Sequence, residues 1–288
     1  MSGRANLGGI DVGEGLGVRV MGVLNVSAES FYRGSVVADE SDLIRRAEAM
    51  VEAGAAWVDV GALSTSPAAS AEVPANLEAE RLGRAVEVLV GAVDVPVSAD
   101  AARSEPVRAA LQAGARVVND ITGLMGDPGV APLVAAAGAG LVLMASAREA
   151  PVPEGDPVAA VRGRLAAGLA VAARAGIDPS SIVLDPGIGF FRKQAMAWYE
   201  WDVSVLARLP EIEALGHPVC VGVSRKSFVG ALASEPDPAR RLAGSLAATA
   251  LAVAGGARVI RTHDVAETVQ AVKVAEAVRC AARGGRAC

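Results

Sequence analysis

Aromatic side chains make up only 3% of this chain, so any core must be filled by alanine, valine and leucine. Lysine is almost missing: three residues stand against twenty-four arginines. A lysine inside a polar cluster is therefore conspicuous. No long basic run appears and the formal charge is −5, which argues against nucleic-acid binding as the main task. No stretch reaches about 18 uninterrupted apolar residues, so no membrane span is expected. The opening MSGRANLGGIDVGEG lacks the apolar centre of a signal peptide. Cysteines are few and odd in number. Cys220, Cys280 and Cys288 form neither a CxxC nor a metal-ligand spacing, a pattern expected of reduced thiols in a cytoplasmic protein.

What is present is a globular, core-rich composition, 52% hydrophobic and 20% charged over 288 residues. Short apolar runs alternate with helix-like segments throughout. Strands are expected at 18–25 (VRVMGVLN), 56–61 (AWVDVG), 95–100 (VPVSAD), 115–120 (ARVVND), 140–144, 181–185 (SIVLD), the start of 218–230, and 257–261 (ARVIR). Helices are expected between them, at 41–53, 76–90, 105–113 and 128–137, then in an Ala-rich segment ending near 175–176, and at 241–255 and 265–282. The sixth helical segment, within 194–209, is the least defined. The strand runs are nearly continuous apolar, the pattern of strands buried on both faces of a parallel sheet. Eight strands and eight helices in alternation predict an α/β protein with a (β/α)8 TIM barrel, which takes about 250 residues. The alternative is a doubly wound open sheet, weakened because no GxGxxG follows the first strand. With no composition break to mark a linker, a single barrel domain is expected over 18–283. A short N-terminal leader, loose or hairpin-like, would cover 1–17 and a tail 284–288.

In such a barrel the chemistry sits at the C-terminal ends of the strands. Those ends carry Asn25; Gly61 with Ser64 and Thr65 beyond it; Asp100; Asn119 and Asp120; Asp185; Ser224–Lys226; and Arg261 with His263 two residues on. Residues two apart in extended chain point the same way, so Arg261 and His263 can face one ligand. Each polar residue alone has an ordinary explanation. Asn and Asp form turns, Asp185 is held extended by Pro186, and His263 could simply begin a helix. Glu29 and Asp120 read as structural, and His217, between Gly216 and Pro218, as a turn residue. Seven independent turns, however, would not all place polar groups on one rim. Asp100, Asn119 and Asp185 suit a flat, donor-rich heterocycle, because a guanidine-like edge makes two parallel hydrogen bonds to a carboxylate. Lys226 offers a point charge to a carbonyl oxygen or ring nitrogen. Arg261, His263, Thr65 and Asn25 suit an anion such as a diphosphate, with Mg2+ alongside.

The stretches MGVLNVSAESF (21–31), WVDVGALST (57–65), VSAD (97–100), ARVVNDITG (115–123), LDPGIGF (184–190), VGVSRKSFVG (221–230), AGSLAAT (243–249) and RVIRTHDV (258–265) resemble the dihydropteroate synthases of folate biosynthesis. They fall in the family's order and span almost the whole chain, and LDPGIGF together with SRKSF is the most specific pair. The resemblance implies condensation of 6-hydroxymethyl-7,8-dihydropterin diphosphate with 4-aminobenzoate, releasing pyrophosphate. It implies that Asp100, Asn119, Asp185 and Lys226 hold the pterin. Thr65, Arg261 and His263 would hold the diphosphate, and Asn25 would contact Mg2+. The family's route is dissociative, and Asp100 and Lys226 are the groups expected to act in catalysis. The family also often forms homodimers, here expected through the Ala/Val-rich final helix.

This chain departs from the family pattern in the two loops that close over the site. Glu29 and Arg33 stand where the first loop usually has aspartates, and Ser66 where the second has arginine. Ala145 replaces a common histidine, and Phe191–Arg192 replaces Gly-Lys. Arg33 would suit a phosphorylated, sugar-bearing arylamine. Two other functions remain open: a pterin-binding methyltransferase acting on methyltetrahydrofolate, and a non-catalytic pterin-binding paralogue.

Overall fold

The structure is a computed structural model that describes residues 3–26, 36–62, 73–147, 155–192 and 196–282. An antiparallel hairpin opens it, β1 (Arg4–Leu7) and β2 (Ile10–Gly13). The barrel strands follow as β3 (Arg19–Asn25), β4 (Trp57–Gly61), β5 (Val97–Asp100), β6 (Val117–Asp120), β7 (Gly140–Met144), β8 (Ile182–Asp185), β9 (Cys220–Gly222) and β10 (Val259–Thr262). Their order in the sheet is β8-β7-β6-β5-β4-β3-β10-β9, and every pairing among them is parallel. A parallel bridge between Leu184 and Val219 joins the two ends of that row, with Leu184 N donating to Pro218 O at 2.9 Å. The fold is thus the expected (β/α)8 barrel.

The surrounding helices are α1 (Val36–Glu52), α2 (Ala75–Ala92), α3 (Ser104–Gln112), α4 (Val130–Ala137), α5 (Pro157–Ala175), α6 (Trp198–Ala207), α7 (Leu209–Glu213), α8 (Ser227–Ala233), α9 (Leu242–Ala254) and α10 (Val265–Ala282). Helix α5 shows why such segments begin and end where they do. The Asp156 carboxylate accepts from Val158 N and Ala159 N, Pro157 needs no donor at the first turn, and Gly176 closes the helix at φ 81°. Two helices depart from the sequence expectation. The ill-defined sixth segment splits into α6 and α7, and α8 follows Lys226 directly where only a loop was expected.

The barrel interior changes character within one layer. Side chains alternate along a strand, and one set packs together at the N-terminal ends: Met21, Trp57, Val117, Val142, Val183, Cys220 and Val259. Ala5, Leu7 and Val12 of the hairpin complete this layer and close the barrel floor. Trp57 Nε1 donates to Leu7 O at 3.0 Å, so the largest buried aromatic also ties the hairpin down. The hairpin approaches closely because Gly8 turns at φ 62°; a Cβ there would lie 2.6 Å from Val117. Two residues further along the strands the inward positions become Asp59, Asn119, Asp185 and Arg261. The apolar floor therefore carries a polar ceiling at the C-terminal ends.

Cys220 is a free, buried thiol, whereas Cys280 is disulfide-bonded. The expectation of wholly reduced thiols therefore does not hold at Cys280. Among the described residues no helix is long and apolar enough to cross a membrane.

Candidate active site

Five of the residues singled out in the sequence surround one small cavity of about 40 Å3: Asp100 from β5, Asn119 from β6, Asp185 from β8, Lys226 beyond β9 and Arg261 from β10. Ile188, Phe190 and Met144 supply apolar wall, and Lys226 Nζ lies 4.5 Å from the centre of the Phe190 ring. Larger cavities lie beside the hairpin and among α6, α8 and α9, and none of these polar side chains lines them. The chemistry sits in the small one.

Arg261 organises the cavity. Its Nε donates to Asp59 Oδ2 at 2.7 Å and its Nη2 to Asp100 Oδ2 at 2.7 Å. The two carboxylates outweigh burial and hold the guanidinium firmly protonated. Asp100 behaves oppositely. Desolvation raises its carboxyl to about 6, against the pull of Arg261 and with a further push from Asp59. Burial also raises Asp185, partly offset by Gly187 N, which donates to its Oδ1 at 2.7 Å, and by Lys226. That bond requires the turn at Gly187, φ 72°, where a Cβ would collide with Ala145 O. Lys226 is pushed down to about 8, chiefly by burial, with Asp185 opposing and Arg261 assisting. Asp100 and Lys226, a carboxyl raised and an ammonium lowered by burial, are thus groups poised near neutrality.

His263, two residues beyond Arg261, is exposed and does not line this cavity. Its Nδ1 lies 3.1 Å from Ser224 Oγ, which also accepts from His263 N at 3.3 Å. The packed surroundings first, and Arg261 next, hold the imidazole down at about 4, against the pull of Asp264. Asn25 ends β3 exposed, in register with Gly61. Thr65 lies outside the described residues, as do Glu29, Arg33 and Ser66, so both divergent loops do too. Asp120 takes the structural part expected of it, accepting from Thr122 N, Thr122 Oγ1 and Leu124 N.

Two residues of the site escaped the sequence reading. Asp59, in the middle of β4, is fully buried and accepts from Ser98 Oγ at 2.5 Å, Asn119 Nδ2 at 3.2 Å and Arg261. Ser98 supplies the first of those bonds from β5. A carboxylate inside the apolar run WVDVG was the available signal, because an aspartate is seldom fully buried without partners.

The chain is similar to known proteins over most of its length. The model of the pterin binding enzymes matches residues 21–263. The chain belongs to the pterin binding enzyme family. Within that family, the dihydropteroate synthase of Mycobacterium leprae is 42% identical over 268 residues, covering 89% of this chain and 92% of its own. The crystal structure of Xanthomonas albilineans dihydropteroate synthase with 4-aminobenzoic acid superposes with a TM-score of 0.85 at 37% identity, covering 97% of this chain and 99% of its own. The same enzyme in complex with 7,8-dihydropteroate gives 0.81 at 35% identity, covering 96% and 98%. The fold is thus that of the dihydropteroate synthases of known structure along nearly the full length.

Proposed function

We propose that this chain is a dihydropteroate synthase, a transferase that joins 6-hydroxymethyl-7,8-dihydropterin diphosphate to 4-aminobenzoate or a related arylamine and releases pyrophosphate. The observation that carries the reading is the convergence of Asp100, Asn119, Asp185 and Lys226 on one cavity with Arg261 among them. The pterin presents a guanidine-like edge, which the carboxylates and the Asn119 amide match, while Lys226 meets its carbonyl or ring nitrogen. Arg261 and His263 face the diphosphate at the mouth. The bond between the pterin methylene carbon and the diphosphate oxygen breaks, and both electrons leave with pyrophosphate. Asp100 then offsets the positive charge left on the pterin, and Arg261 and His263 stabilise the leaving anion. The arylamine nitrogen forms the new C–N bond and loses a proton. The route needs no protein nucleophile.

Asn25 fits the Mg2+ that the family implies. Among the described residues no three of His, Cys, Asp or Glu form a metal cluster. Mg2+ characteristically takes one or two protein ligands together with substrate phosphate and water. A single exposed amide oxygen beside a diphosphate site meets that need. Mg2+, when bound there, would offset charge on the diphosphate.

A methyltransferase would have little use for Lys226, Arg261 and His263 in this arrangement. The test is one assay with purified protein, dihydropterin diphosphate, Mg2+ and 4-aminobenzoate, following pyrophosphate and product mass. The expected result is dihydropteroate, lost in Asp100→Ala and Lys226→Ala. Binding of the pterin diphosphate with no product from any arylamine would favour the non-catalytic reading. Methyl transfer from methyltetrahydrofolate would overturn the proposal.

A homodimer and a cytoplasmic site of action belong to the same proposal. Leu232 on α8 and Leu251 on α9 are 58% and 65% exposed beside an apolar cavity of about 600 Å3 that reaches Phe228 and Leu206. Exposed apolar surface of this kind is where a second copy would pack. The final helix contributes exposed Val274 and Val278.

A further inference from the structure

Asp59, in the middle of β4, is fully buried. A buried carboxylate is tolerated only when its oxygens are satisfied, and three donors from three other strands satisfy it. Ser98 Oγ of β5 holds Oδ1 at 2.5 Å. Asn119 Nδ2 of β6 and Arg261 Nε of β10 hold Oδ2, at 3.2 and 2.7 Å. Two of those three partners, Asn119 and Arg261, also line the small cavity, which Asp59 does not.

The consequence for Asn119 is one of polarity. Asn119 turns its amide nitrogen to Asp59, Nδ2 donating to Oδ2 at 3.2 Å, beside the Arg261 guanidinium on the same oxygen. That commitment leaves the carbonyl oxygen as the group offered to a ligand. The cavity then shows an acceptor at Asn119, as a donor-rich heterocycle requires. For Arg261 the consequence is one of anchorage. Its guanidinium is shared between Asp59, fully buried, and Asp100, at the cavity. A heterocycle that takes Asp100 competes for that carboxylate and leaves the bond to Asp59 intact. Arg261 then remains tethered at the mouth, where the leaving anion forms.

We propose that Asp59 is a positioning residue that fixes the acceptor face of Asn119 and retains Arg261 while Asp100 exchanges partners, so that one buried carboxylate sets both the heterocycle site and the anion site. The inference rests on the proposed function and deepens it.

The test is Asp59→Asn, which keeps shape and removes charge while placing an amide donor against the donors of Asn119 and Arg261. Dissociation constants for pterin diphosphate and for inorganic pyrophosphate are measured by calorimetry, and KM for 4-aminobenzoate by turnover. The expected outcome in folded protein is a rise of about 10- to 100-fold in both dissociation constants, the scale of a lost hydrogen bond to a charged group. KM for 4-aminobenzoate stays within about twofold of wild type, the spread of a site left untouched. A purely structural role would lower the melting temperature without this split. The loss should also be non-additive with Asn119→Ala, as for residues sharing one network. Unchanged dissociation constants in folded Asp59→Asn, or full additivity with Asn119→Ala, would overturn the inference. Should Asp59→Asn fail to fold, Ser98→Ala frees Oδ1 and keeps the charge. It should weaken pterin diphosphate about 3- to 10-fold, and wild-type affinity there would overturn the inference. Wild-type protein that binds neither ligand would overturn the proposed function and this inference with it. Wild-type binding that Asp59→Asn leaves unchanged would overturn this inference alone.

Discussion

Arg225 and Asp264 are joined by two hydrogen bonds, Nη2 to Oδ1 at 2.6 Å and Nε to Oδ2 at 3.0 Å. The pair links the loop after β9 to the loop after β10, and it holds Arg225 at φ 55°, a left-handed conformation unusual for a residue with a side chain. Arg225 N donates to Ser245 Oγ at 2.8 Å, and Arg241 Nη1 donates to Arg225 O at 3.2 Å. Arg225 Nη1 also donates to Pro238 O and Ala239 O, so the residue before Lys226 is clamped through its side chain and both of its backbone polar groups. Asp264→Ala should release that clamp. It should cost about 1–2 kcal/mol of stability, the scale of a partly exposed charged pair, and lower kcat/KM on the order of tenfold through displacement of Lys226. Thermal melting and steady-state kinetics check both, and unchanged kcat/KM would remove the loop clamp from the account of the site.

The pH profile of kcat/KM should be bell-shaped, with an acid limb near 6 from Asp100 and an alkaline limb near 8 from Lys226. Asp100 must be ionised to offset a pterin cation, so activity falls as pH drops through 6. Lys226 must be protonated to supply its charge, so activity falls as pH rises through 8. The raised carboxyl has a stability consequence too. The folded chain binds that proton more tightly than the unfolded chain, so stability due to Asp100 is present at low pH and declines as pH rises from about 4 to 6. Residual activity in Asp100→Asn should lack the acid limb.

His263 is neutral at pH 7 in the free protein, because its imidazole is held at about 4. An anion at the mouth raises that value. Anion binding should therefore take up a proton and tighten as pH falls from about 7 to 5. Sulfate, which does not titrate in this range, is the suitable probe. Calorimetry in buffers of different ionisation enthalpy measures the uptake, and His263→Gln should abolish it.

Leu232→Glu and Leu251→Glu place charges on the apolar surface of α8 and α9. Sedimentation velocity should show a dimer for the wild-type chain and a monomer for the double variant, with the barrel's circular dichroism unchanged. A wild-type monomer would remove the homodimer from the proposed function.

Trp57→Phe keeps an aromatic ring in the barrel floor but deletes the donor that meets Leu7 O. It should cost about 1 kcal/mol, the net value of one hydrogen bond, and raise amide exchange in the hairpin before the barrel itself opens.

Much of this architecture is local enough to read from the chain. β7 and α10 fall where their apolar runs and flanking glycine and aspartate place them, and Asp156, Pro157 and Gly176 bound α5 through cap and turn chemistry. Asp100, Asn119, Asp185, Lys226 and Arg261 each stand where a run of apolar residues ends, so their shared rim follows from the barrel pattern alone. These features depend on neighbours a few residues away, through side-chain alternation, capping and turn chemistry.

The tertiary structure decided what distant segments do to one another. Asp59 reads in the sequence as an interruption of a strand, and its meaning comes from Ser98, Asn119 and an arginine 202 residues away. Arg225 likewise finds Asp264 only because β9 and β10 are neighbours in the sheet. Strand order and register choose such partners, and they are set by the closure of the whole barrel. The pKa values of Asp100, Lys226 and His263 follow from the same cause, since desolvation and neighbouring charge exist only once the layers have packed. The chain by itself determined which chemical groups reach the rim; the closed barrel decided which of them are paired, which are held ready, and which buried carboxylate holds them there.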